Sequence, residues 1–211
     1  TDKLIIRNMT HIKDWIPQQS KETLLKLLKY FSGTYIYIPN PTEEMTVQAV
    51  KTNGIIIQSV PNPSRELQIA AVKSLGIAIK YIRNPDEEIQ LLAVKNNINS
   101  IKFIQNPCEA VIDYVIDNKP LYAKYIEHLT ITQQLRLISW NESAGYTGKK
   151  FKSTRLSYIR NISPEVVDKC LDFDVSAVSY ISSKNPAIQL VILKYRPSYI
   201  KHIQNPTEEM Q

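Results

Sequence analysis

The dipeptide Asn-Pro stands at Asn40-Pro41, Asn62-Pro63, Asn84-Pro85 and Asn106-Pro107, 22 residues apart each time. A fixed period of this length is the signature of a repeat architecture and outranks every local signal in the chain. With the proline as anchor, one step back reaches Gln19 and one step forward reaches Leu129. The next anchor, Ile162, lies 33 residues on, so 11 residues are inserted there; the 22-residue step then resumes at Lys184 and Pro206. Three residues before these anchors stand Ile16, Ile38, Val60, Ile82, Ile104, Ile126, Ile159, Ile181 and Ile203, all β-branched and apolar. Four before them stand Trp15, Tyr37, Ser59, Tyr81, Phe103, Tyr125, Tyr158, Tyr180 and His202, an aromatic column that Ser59 and His202 interrupt. Nine after them stand Leu28, Val50, Val72, Val94, Ile116, Ile138, Leu171 and Leu193, again all apolar.

The chemistry of one unit predicts its structure. Asn40 reads as a helix N-cap, and Pro41 suits the first helical position, where a missing N–H does no harm. Glu43 and Glu44 put negative charge at the positive end of the helix dipole, and Lys51 puts a cation at the other end. Met45, Val47, Ala49 and Val50 form the expected buried face. Asn53-Gly54 supplies residues that tolerate a left-handed C-cap. The reading is a helix over about 41–52 and a short α or 3₁₀ helix over about 55–60, stopped by Pro61.

Neither piece can bury its apolar face alone, so each unit must be covered by its neighbours. The expected fold is all-α: a right-handed α-solenoid of about eight repeats, each a long helix plus a short α or 3₁₀ helix, with one 11-residue insertion. Residues 1–14 read as an N-terminal cap and 15–211 as a single solenoid domain carrying an inserted loop at about 142–152. The unit Asn-Pro-x-Glu-Glu-x-x-x-x-Ala-Val-Lys-x-x-Gly-x-x-Ile-x-Tyr-Ile-x resembles the short helical repeats of phage, giant-virus and bacterial proteins. It is similar to the leucine-rich variant repeat, which alternates an α-helix with a 3₁₀ helix, and more loosely to HEAT repeats. The resemblance covers roughly residues 15–211. It implies a solenoid used for binding and carries no catalytic motif onto this chain.

Composition narrows the function classes. With 43% hydrophobic and 22% charged residues the chain can build a core. The formal charge of +6 permits an anionic partner without requiring one. Cys108 and Cys170 make no disulfide framework, and no run approaches a membrane span, so the expected location is the cytoplasm. His11, His128 and His202 have no metal-ligand spacing, and no cofactor motif or nucleophile–base pair is visible. The expectation is a non-enzymatic protein without metal or cofactor.

Candidate binding residues come from departures from the repeat and from charge. The insertion carries Tyr146, Lys149, Lys150 and Lys152 close to Trp140, and reads either as a basic finger for a partner or as a loop kept soluble by lysines. One lysine row, Lys80, Lys102, Lys124 and Lys201, falls on the short helices. A second, Lys29, Lys51, Lys73, Lys95 and Lys194, falls at the ends of the long ones. Such rows could track a phosphate backbone, or merely complement helix dipoles and keep a face wet. Asp113 and Asp168 interrupt an otherwise apolar column and read as rotated to face water. The chain stops in the first turn of a unit, leaving a core face that a partner or a second copy could cover. The leading expectation is a protein-binding scaffold, in its most concrete form a phage or mobile-element factor that inhibits a host protein. The alternative is a nucleic-acid binder using the lysine rows.

Overall fold

The computed structural model describes residues 11–139, 153–173, 177, 181, 185–203 and 206–210. Every element there is helical, with no strand among the described residues. Nine α-helices stand among the described residues: α1 Ile12–Trp15, α2 Lys21–Tyr30, α3 Glu43–Thr52, α4 Arg65–Ser74, α5 Glu87–Asn96, α6 Glu109–Asn118, α7 Ile131–Ile138, α8 Pro164–Phe173 and α9 Pro186–Tyr195. Six-residue 3₁₀ helices follow most of them: Ser32–Tyr37, Gly54–Ser59, Gly76–Tyr81, Ile98–Phe103, Pro120–Tyr125, Ser153–Tyr158 and Pro197–His202. Among the described residues no helix is long and apolar enough to cross a membrane.

The helix start differs from the sequence expectation, and the reason is local. α3 begins at Glu43, and its N-cap is Thr42, whose hydroxyl accepts from the Met45 N–H at 3.3 Å. Ser20, Ser64, Asp86, Thr130, Ser163 and Asn185 stand at the same position of their own units. Their side-chain oxygens accept from the N–H of Thr23, Leu67, Ile89, Gln133, Val166 and Ala187. Asn40 caps nothing. It turns the chain in the left-handed region at φ 51°, as Asn62 and Asn84 do at 49° and 48°. Asparagine is among the few non-glycine residues that enter that region cheaply. The proline that follows sets the approach to the cap.

The helix end is also corrected. Asn53 is extended, at φ −145° and ψ 104°, and its side chain accepts from the Ile55 N–H, so it caps the 3₁₀ helix. Gly54 is needed for space instead of for φ. A Cβ there would lie 2.3 Å from the Ala71 carbonyl oxygen, and one on Gly76 would lie 2.4 Å from that of Ala93. The 3₁₀ helix of one unit thus abuts the last turn of the next unit's α-helix, backbone to backbone.

The chain divides into two compact units, Thr1–Val111 and Ile112–Gln211. In the first, α2 packs on α3, α3 on α4 and α4 on α5, while the 3₁₀ helices Gly54–Ser59, Gly76–Tyr81 and Ile98–Phe103 pack on one another in the same order. The fully buried pairs Ala49 and Val50, Ala71 and Val72, and Ala93 and Val94 recur one period apart, small residue beside branched one. On α3 it is Thr46 that is buried and Val47 that is half-buried. The Thr46 hydroxyl donates to the Thr42 carbonyl and pairs with the Tyr35 hydroxyl at 2.9 Å. In the second unit, α7 packs on α8 and α8 on α9, and Pro120–Tyr125 packs on Ser153–Tyr158. In its last turn, Met210 is buried and Glu208–Met210 packs on α9. The isoleucine column is the interior: Ile16, Ile38, Ile82, Ile104, Ile126, Ile159, Ile181 and Ile203 are all buried.

Candidate partner-binding edge

Polar side chains that stitch one module to the next are set apart from those left facing solvent. Gln68, Gln90 and Gln134 each donate to the carbonyl five residues back, at the anchor of their own unit. Gln90 also accepts from the Cys108 N–H at 2.9 Å, and Gln134 from the Ser163 N–H at 3.0 Å, both at the cap position of the following unit. Asn96 accepts from the Gly76 N–H at 2.7 Å and donates to the Lys73 carbonyl. Gln90 and Gln134, at one register, and Asn96 thus each join two modules through backbone groups.

Many charges are engaged in the same way. Lys21 pairs with Glu44 at 2.7 Å, Arg65 with Asp86 and Glu88, Arg136 with Asp113 and Asp117, and Lys194 with Asp168 at 2.9 Å. Each pair links consecutive long helices. The Tyr195 hydroxyl adds bonds to Asp168 and Asp172. Asp113 and Asp168 therefore need no helix rotation. Their column (Leu25, Val47, Ile69, Leu91, Leu135 and Leu190 elsewhere) is half-buried throughout, and the acids use it for ion pairs.

These pairs shift the titration of their members. The Lys194 ammonium holds the Asp168 carboxyl below its ordinary range, helped by the Tyr195 hydroxyl. In return Asp168 pushes Lys194 up to about 12. Asp86 is lowered first by the Ile89 N–H it caps and then by Arg65.

The lysine row of the short helices is arranged differently. Lys80, Lys102, Lys124 and Lys201 each occupy the fifth position of a six-residue 3₁₀ helix, and all four are exposed. Lys80 and Lys102 lie in the first compact unit, Lys124 and Lys201 in the second. Among the described residues no ion pair involves Lys80, Lys124 or Lys201. The neighbouring sixth position carries the aromatic column. Those rings are half-exposed at Tyr37, Tyr81, Tyr125 and Tyr158 and exposed at Phe103. Lys80 Nζ sits 4.6 Å from the Tyr81 ring centroid and 6.0 Å from that of Phe103, and Lys124 Nζ sits 5.3 Å from that of Tyr125. Such cation–π contacts hold an ammonium on a half-wet surface without neutralising it.

The second row behaves as helix chemistry requires. Lys29, Lys51, Lys73, Lys95 and Lys194 all fall in the last turn of their helices. The insertion residues Tyr146, Lys149, Lys150 and Lys152, and Trp140 beside it, lie outside the described residues.

Sequence reasoning missed a cleft. Where Gly76–Tyr81, Ile98–Phe103 and Pro120–Tyr125 end in Lys-Tyr or Lys-Phe, Gly54–Ser59 ends in Gln58-Ser59. With no ring at Ser59, a cleft of about 670 Å³ opens, lined by Gln58, Ser59, Tyr81 and Arg83 and floored by the Pro61-Asn62-Pro63 turn. The signal lay in the alignment, as the serine in an aromatic column, although a column gives no depth. No known protein family, curated protein or solved structure matches the chain.

Proposed function

We propose that the chain is a right-handed α-solenoid of about eight 22-residue modules that acts as a non-enzymatic scaffold for a protein partner. The observation that carries this reading is a division of labour. Glutamines and ion pairs are spent between modules, while the 3₁₀ helices keep exposed cations beside half-exposed or exposed aromatic rings. Folding does not require an exposed Phe103 or an uncompensated Lys80. Exposed aromatic groups inside a polar rim are what protein interfaces use as anchors. The resemblance to phage and bacterial repeat proteins favours a host protein as the partner, held and inhibited.

The nucleic-acid alternative draws on the same lysines, but the rings speak against it. Base stacking needs an open ring face, and Lys80 and Lys124 lie over the rings of Tyr81 and Tyr125. The test is affinity capture from the native lysate with the full chain and with a Lys80→Glu, Lys102→Glu variant, each with and without nuclease. Stoichiometric capture of one protein, nuclease-resistant and lost in the variant, is expected. Capture of nucleic acid with a steep salt dependence would replace this reading by the alternative.

A further inference from the structure

We propose that the cleft at Ser59 is a carboxylate-binding subsite for an extended acidic segment of the partner, a refinement that rests on the scaffold reading above. Three observations converge on it.

The first is shape. The short-helix edge carries a ring at the sixth position in Ser32–Tyr37, Gly76–Tyr81 and Ile98–Phe103. Ser59 is the gap in that series, and the cleft of about 670 Å³ occupies it. That volume lies in the range of ligand-sized clefts and accommodates a side chain together with the backbone that bears it.

The second is charge. Gln58, Ser59, Tyr81 and Arg83 offer hydrogen-bond donors, and no carboxylate is among the residues lining the cleft. Arg83 is exposed and, among the described residues, takes part in no ion pair, unlike Arg65 and Arg136. Its planar fork matches a carboxylate by two parallel N–H···O bonds. The Lys80 ammonium sits 4.6 Å from the ring centroid of Tyr81, a residue that lines the cleft.

The third is register. Lys80 and Lys102 recur one period apart on consecutive short helices that pack on each other. An extended peptide running along this edge would set one acidic side chain in the cleft and present others to Lys80 and Lys102. A nucleic-acid strand fits less well. Its phosphates could use the same cations, but its bases would meet ring faces already covered by Lys80.

The experiment measures fluorescence anisotropy of a labelled oligo-glutamate and of a labelled oligothymidylate against the full chain. Three variants are compared: Arg83→Gln, Ser59→Tyr and Lys73→Gln. Ser59→Tyr restores the ring of the other modules and leaves net charge untouched, so it separates the cleft from general attraction to a basic protein. Lys73→Gln removes one charge from the other row. Thermal melts check that each variant folds. Oligo-glutamate should bind the wild type, and Arg83→Gln and Ser59→Tyr should each weaken it about tenfold. Lys73→Gln should stay within about twofold. The proposal is overturned if the wild type does not bind oligo-glutamate or if Ser59→Tyr binds as the wild type does. It is equally overturned if oligothymidylate binds more tightly with the same residue dependence. Lysate capture by Ser59→Tyr separates the two failures. If a protein is still captured, the subsite falls and the scaffold stands; if the wild type captures none, the scaffold falls as well.

Discussion

Gly54 and Gly33 make opposite demands although both occur in 3₁₀ helices. A Cβ on Gly54 meets the Ala71 carbonyl at 2.3 Å, a backbone atom that cannot rotate away, whereas one on Gly33 meets nothing within 4 Å. Gly54→Ala should therefore destabilise by about 2–3 kcal/mol through forced separation of two modules. Gly33→Ala should be neutral or stabilise by up to about 1 kcal/mol. Urea unfolding midpoints of the two variants check this, and equal effects would remove the close-approach argument. The caps supply a second contrast. Ser64→Ala should cost about 1 kcal/mol because the Leu67 N–H loses its partner. Asn62→Gly should cost only a few tenths of a kcal/mol, since Asn62 contributes a left-handed turn and no cap. If Asn62 were the cap, Asn62→Ser would be as stable as the wild type in a urea series; as a left-handed turn it should lose about 1 kcal/mol. This distinction was half legible in the sequence. The column Ser20, Thr42, Ser64, Asp86, Thr130, Ser163 is as regular as Asn-Pro, but the dipeptide is the louder signal and drew the cap assignment two residues too early.

The 3₁₀ helices and the ties between modules show what periodicity conveys and what it omits. The isoleucine column announced the interior correctly, because one buried face per period has to be apolar. The glutamine register at Gln68, Gln90, Gln134 and Gln189 is less regular, since Leu24, Thr46, Ile112 and Val167 hold the same position in the other units. Polar residues on a helix read as solvent-facing, and only coordinates show Gln134 buried with donors and acceptors satisfied across two modules. Ser100 is the converse case. It is fully buried in Ile98–Phe103, its hydroxyl has no hydrogen-bond partner among the described residues, and the matching position of Gly76–Tyr81 holds Ala78. Ser100→Ala should raise stability by about 1 kcal/mol, measured by chemical denaturation, because an unpaired buried hydroxyl is lost without leaving a large cavity. The α8–α9 tie predicts a pH dependence. Asp168 titrates lower in the folded chain than in the unfolded one, so its contribution is complete above about pH 4 and is lost as pH falls through the folded value. Lys194, raised to about 12, loses its share only as pH rises through that value. The stability difference between wild type and Asp168→Asn should be flat across neutral pH and close in acid. A difference unchanged in acid would mean that Asp168 acts through packing and not through charge.

If stability is summed from modules and the contacts between neighbours, an entire period can be removed without destroying the rest. Residues 63–84 form one such period, and their removal joins Asn62 to Pro85 and so recreates the anchor dipeptide. The buried layers on either side of the deletion match: Ala49 and Val50 would meet Ala93 and Val94 where they now meet Ala71 and Val72. Gly54 would meet the Ala93 carbonyl in place of that of Ala71, the same close approach that Gly76 now makes. The shortened chain should fold with unchanged helicity per residue by circular dichroism. It should lose about 1–3 kcal/mol, the share of 22 residues at ordinary stability per residue. A deletion out of phase, over residues 70–91, removes as many residues but rejoins α4 to α5 within helices. It remains equivalent in register, so it should fold too, and the pair together test periodicity rather than one fortunate junction. Removing half a period, residues 63–73, should abolish folding, because a 3₁₀ helix would then confront a 3₁₀ helix across a gap shaped for an α-helix. A half-period deletion that folded as well as the full-period ones would mean that the modules are not the units in which this protein is built.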